Sequence, residues 1–155
     1  MQDCLLYVRD FIGANFAFTN LKNAELNFAN LADANFAEAN FQGAILSKAI
    51  LAGANLVKAN LQGANLSQAH LEEANLEEAN LAEANLQGAI LYKANLQGAN
   101  LQGANLKWVN LYEANLQGTV LEGADLEGAN LERTILEGKD IASLTENPNE
   151  DLDES

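Results

Sequence analysis

Cysteine is nearly missing from this chain. Cys4 is the single one among 155 residues, so no internal disulfide can hold the fold together. Proline, methionine, tryptophan and histidine also occur once each. A lone His70 with no cysteine beside it cannot assemble a zinc site, and Cys4 has no neighbour that would activate it as a nucleophile. No stretch approaches the run of about 18 apolar residues that spans a bilayer, and no basic segment followed by an apolar one opens the chain. A cytoplasmic protein is the expectation. Bases are scarce: 8 Lys and Arg stand against 22 Asp and Glu, a formal charge of −14. Residues 1–139 hold 8 bases and 16 acids, net −8, and no base follows Lys139. Nucleic-acid phosphates and anionic membrane surfaces would both be repelled, so neither is an expected partner.

What the chain does have is a period of five. From Phe11 through Phe16, Leu21, Leu26 and onward to Ile141, all 27 positions are Leu, Phe or Ile. Two residues before each stands a small residue, nearly always Ala; Arg9, Thr19, Val109, Thr119, Thr134 and Lys139 depart from this. Between the small and the large residue sits Asn in most repeats, giving A-N-L-x-x. A helix turns by about 140° over five residues, so its leucines would spiral around the cylinder. A flat strand fails as well, because an odd step alternates faces. All 11 glycines fall two residues after the large apolar one. Glycine confined to one phase marks a recurring corner. Each pentapeptide is therefore a short extended piece plus a turn, with the large and small apolar residues pointing inward. Phe18, Phe28, Glu78, Lys93 and Trp108 share the glycine phase, which suggests that the turns need not all be of one type.

An unbroken run of A-N-L-x-x over residues 11–141 resembles the pentapeptide-repeat proteins, which are abundant in cyanobacteria. The resemblance implies an all-β fold, a right-handed quadrilateral β-helix with one pentapeptide per side and four per coil. Residues 20 apart should then stack at the strand spacing of about 4.8 Å, giving about 6–7 coils and a rod roughly 30 Å long. Asn15, Asn35, Asn55, Asn75, Asn95 and Asn115 would form one amide column. Glu73, Lys93, Glu113 and Arg133 alternate in sign down another, as do Glu38, Lys58 and Glu78. Phe11, Phe16, Phe36, Phe41, Leu56, Leu76, Leu96 and Leu116 are expected core residues.

Three segments follow from the pattern. Residues 1–10 read as an N-terminal cap or a frayed first coil, residues 11–141 as the solenoid, and residues 142–155, acidic and with Pro148, as a disordered tail. Phe18 and Phe28 are candidates to cover the N-terminal end.

No catalytic constellation is visible. Ser47 and Ser67 share a surface column, and the acids Glu72, Glu73, Glu77, Glu78 and Glu83 would diverge around a regular rod rather than converge on a cation. No metal or cofactor is expected. Tyr92, Trp108 and Tyr112 should cluster near one corner as a protein-binding site, since exposed aromatics anchor interfaces. Glu122, Glu127, Glu132 and Glu137 put one acid on each side of the last full coil. A non-catalytic interaction or scaffold module with a protein partner, as a monomer or an end-to-end dimer, is the leading expectation. The alternative comes from the resemblance: some family members mimic duplex DNA and bind DNA gyrase or topoisomerase. Charge argues against it, because about 18 duplex charges would span 30 Å where the rod has net −8 with bases interleaved.

Overall fold

In the computed structural model, residues 10–146 are described. The local unit is a turn. After each large apolar residue come two corner residues, and the next small residue donates its N–H back across them, as from Ala14 to the Phe11 carbonyl at 3.0 Å. The second corner residue is left-handed throughout, with φ of 53–60° at 15 non-glycine residues and 62–71° at 11 glycines. The corners therefore share one conformation, contrary to the mixed turns suggested by the sequence. An L-residue there costs roughly 1–2 kcal/mol, and the neighbouring coils hold it in place.

They do so through a parallel register of 20. Leu56 N–H donates to the Asn75 carbonyl at 2.7 Å, Lys58 N–H to Glu77 at 2.9 Å, and Asn75 N–H returns to Ala54 at 2.9 Å. Single-residue bridges follow in four columns, such as Asn15↔Asn35, Asn20↔Asn40, Glu25↔Ile45 and Asn30↔Ile50. The column from Asp10 to Asn130 links seven residues through six bridges.

Inside, leucine and alanine fill the axis. Leu56, Leu76, Leu96 and Leu116 are fully buried, as are Phe36 and Phe41. Phe11 and Phe16 are only partly buried, because no described coil lies beyond them. Their rings meet edge-on at 5.5 Å, and Phe16 stacks on Phe36 at 5.3 Å. Where threonine replaces the small residue, its hydroxyl bonds back into its own turn: Thr119 Oγ1 donates to the Leu116 carbonyl at 2.7 Å and Thr134 Oγ1 to Leu131 at 2.6 Å. A polar atom at an inward phase thus stays satisfied.

Two expectations about the ends are corrected. Residues 142–146, assigned to a disordered tail, belong instead to helix α1 (Ile141–Thr145) and its C-cap, Glu146. The Asp140 carboxylate caps it by accepting the Ala142 N–H at 3.2 Å, and Ile141 and Leu144 pack on the core. Gly123 N–H, by the register, would find the Ala142 carbonyl; it bonds to Thr145 at 2.7 Å instead, so the helix replaces a rung. Phe18 and Phe28 do not cover the N-terminal end: they point outward, 73% and 52% exposed. The N-terminal segment proposed over residues 1–10 lies outside the described residues except at Asp10, and residues 147–155 lie outside them too.

Candidate functional site

Four faces separate four corners, and their midlines differ. On two faces the midline is mostly asparagine, and most of these amides donate to the one a coil earlier: Asn35 Nδ2 to Asn15 Oδ1 at 3.1 Å, Asn95 to Asn75 at 3.1 Å, Asn80 to Asn60 at 3.3 Å. The same Oδ1 atoms accept the N–H two residues ahead, as Asn75 does from Glu77 at 3.1 Å. Such ladders satisfy themselves and leave little for a partner.

A third midline reads Asp10, Asn30, Ile50, His70, Ile90, Asn110, Asn130. Ile50 is 41% exposed. His70 Nδ1 lies 3.0 Å from Glu72 Oε1, while Glu72 Oε2 is buried with no hydrogen-bond partner. Trp108 stands at the corner before Asn110, and Tyr112 at the corner after it, above Tyr92.

The three aromatic candidates therefore border one face without forming a single cluster. Tyr92 and Tyr112 stack at 5.8 Å between centroids, 19° from parallel. Trp108 makes no ring contact with either. Its indole lies over Gly128 instead, where an added Cβ would overlap Cδ1 and sit 2.7 Å from Nε1. Glycine there makes room for the ring, which remains 57% exposed. The isoleucine midline lies on the same face, although apolar residues scattered at this phase carry little signal by themselves. The signal was present in the spacing, since residue 110, between the aromatics, lies in the 20-residue series of 50, 70 and 90.

Charges tie the corners together. Glu113 joins Lys93 at 3.6 Å and Arg133 at 2.8 Å, and Lys58 meets Glu78 at 3.5 Å. Among the described residues, Glu73 and Glu38, placed in the same alternating columns, pair with no base. Lys93 also lies 5.0 Å from the Tyr92 ring centre and Arg133 5.6 Å from that of Tyr112. The Tyr92 side chain, and then Glu113, raise the Lys93 pKa. Lys107 bonds Glu127 at 2.7 Å and Asp125 at 3.1 Å, which raises its pKa. Asp125 is held low, first by the Glu127 N–H and then by Lys107.

Chemically, this site offers flat apolar contact and fixed charge. Among the described residues no group of three or more His, Cys, Asp or Glu side chains could hold a metal ion. No described helix is long and apolar enough to cross a membrane.

The repeat itself identifies the fold family. The family described as pentapeptide repeats matches in eight copies, within residues 10–47, 34–72, 59–98, 69–107 and 99–138. The chain belongs to the pentapeptide-repeat family. Proteins of this family fold as right-handed β-helices. Among solved pentapeptide-repeat structures, the chain is similar to HetL, involved in heterocyst differentiation regulation in the cyanobacterium Nostoc sp. strain PCC 7120. The two share 32% identity over 83% of this chain and 77% of that one, with a TM-score of 0.48. It is also similar to trypsin-treated QnrB1, a plasmid-mediated fluoroquinolone resistance protein: 20% identity, 82% of this chain and 70% of that one, TM-score 0.71. A third, Rfr23 from the cyanobacterium Cyanothece 51142, is 34% identical over 81% of this chain and 90% of its own, with a TM-score of 0.24. No curated protein sequence matches the chain significantly.

Proposed function

We infer that this pentapeptide-repeat rod, of six to seven coils, is a non-catalytic module that binds or scaffolds another protein, working in the cytoplasm without a cofactor. The observation that carries this reading is the face bordered by Trp108 on one corner and the Tyr92–Tyr112 stack on the other. Large, rigid aromatics held at fixed separation lose little entropy on contact, which is why they dominate interface energies. The rod serves as a monomer or as an end-to-end dimer, and its net negative charge disfavours nucleic acid and anionic membranes.

The test is affinity capture from the source cell with the wild-type chain and with the double variant Trp108→Ala, Tyr112→Ala. The variant is expected to lose the captured partner while keeping its β-type circular dichroism spectrum. Unchanged capture would remove the aromatic corners from the binding surface.

Mimicry of duplex DNA toward gyrase or topoisomerase is the other reading, prompted by the sign of the net charge though not by its density. Against it stand the ion pairs Lys58–Glu78, Lys93–Glu113 and Lys107–Glu127, which interrupt any phosphate-like row of charge. DNA supercoiling by gyrase is expected to proceed unaltered at micromolar protein; inhibition would reinstate mimicry.

A further inference from the structure

The isoleucine face also says what kind of segment it suits, an inference that rests on the protein-binding reading above. We propose that the face running through Ile50, His70 and Ile90 docks a basic, apolar peptide segment. Its apolar side chains lie on the two isoleucines and Trp108, and one Lys or Arg meets Glu72.

The apolar half follows from the midline. Ile45, Val120 and Ile135 are single apolar substitutions on other columns, but Ile50 and Ile90 bracket His70 in one column. The amide relay from Asn30 to Asn110 is broken there, leaving branched apolar side chains where the adjoining Asn15–Asn115 face carries laddered asparagines. Trp108 extends the apolar surface along one edge and Tyr92 along the other.

The basic half follows from the charges. Lys93 and Arg133 are both engaged by Glu113, and Lys107 by Asp125 and Glu127. Lys48 sits 5.5 Å from the Phe28 ring centre. By contrast, Glu72 and Glu73 pair with no Lys or Arg among the described residues. Glu72 also has an oxygen without a donor, a costly state for a carboxylate. Its side chain is 30% exposed, which leaves the carboxylate within reach of an incoming guanidinium or ammonium. An acidic partner would instead face two carboxylates that have no Lys or Arg partner among the described residues.

Trp108 is the sole tryptophan and borders this face, so its fluorescence reports occupancy directly. The probe is a short synthetic peptide alternating isoleucine and arginine, titrated beside oligo-arginine and an isoleucine–glutamate peptide. The isoleucine–arginine peptide is expected to shift Trp108 emission saturably. The double variant Ile50→Asn, Ile90→Asn should bind it about tenfold more weakly or worse, since two buried apolar contacts go. Asparagine is the usual residue at this phase, so that variant keeps the fold. Glu72→Gln should weaken binding severalfold. Oligo-arginine binding as tightly as the mixed peptide, unchanged affinity in the isoleucine variant, or preference for the glutamate peptide would each overturn the proposal. Loss of the cellular partner in the Trp108/Tyr112 variant without any peptide binding would overturn this inference and leave the interaction reading standing. Peptide binding without a cellular partner would do the reverse.

Discussion

The middle of the rod and its C-terminal end solve the same problem by different means. From Leu46 to Leu116 every large inward residue is at most 1% exposed, and the repeat alone accounts for it, because each coil is covered on both sides by others like itself. Beyond that, Leu121 and Leu126 rise to 7% and Leu131 is only partly buried. There the covering surface is non-repetitive: Ile141 and Leu144 of helix α1, and the Thr145 carbonyl that takes the Gly123 N–H. Repetition specifies an interior, and a single local exception has to specify a boundary.

The largest expected effect breaks the contrast at its core. Leu76→Ala should cost about 2–5 kcal/mol by urea unfolding, as for a large-to-small change in a packed interior, while Leu131→Ala should cost less than half as much. Equal losses would mean that the end is as tightly packed as the middle. Next, Gly63→Ala isolates the left-handed corner, since nothing lies within 4 Å of the added methyl at φ +62°. A loss of about 1–2 kcal/mol is expected, and the mirror change Gln68→Gly should gain about 0.5 kcal/mol. Removing the helix cap with Asp140→Ala should cost about 1 kcal/mol locally. Hydrogen exchange would accelerate at Gly123 and not at Gly63; no change at Gly123 would detach the helix from the rod's stability.

The smallest effect is electrostatic. The Asp125 pKa is lowered in the fold from its ordinary 3.8, so its contribution is present above that value and fades as pH falls through the lowered one. Lys107, raised from 10.5, contributes below that value and loses its contribution as pH rises through the raised one. Asp125→Asn should flatten the acid limb of the stability curve slightly and leave neutral pH nearly unchanged. A large loss at neutral pH would show that these exposed pairs hold the end together, against their solvent screening.

The sequence was most informative where one local rule repeats. Leucine at every fifth position, glycine at one phase and asparagine between them are enough to give the inward residues and the register, because each coil sees only neighbours of its own kind. It was less informative where a residue's role depends on a contact outside the repeat. Asp140 caps a helix that lies outside the five-residue pattern, and that helix is only five residues long, docked by one carbonyl and two side chains. Phe18 and Phe28 looked like a cover for an apolar end, yet their corner phase turns them to solvent. Counting positions in twenties puts Trp108 and Tyr112 on either side of one face, but not where each ring lies: Trp108 leans over Gly128, away from the tyrosine stack.

The register has a consequence for how such a chain can change length. Because each bridge joins residues 20 apart, inserting or deleting a single pentapeptide leaves the interior pattern intact but rotates everything downstream by a quarter turn. Ile90 would leave the line of Ile50, and Tyr112 would move off the side facing Trp108's former neighbours. Adding a whole coil lengthens the rod and keeps each surface in line. Hydrophobic packing is indifferent between these two edits; the amide and charge columns that cross the edit, and any ligand that reads one side of the rod, tell them apart.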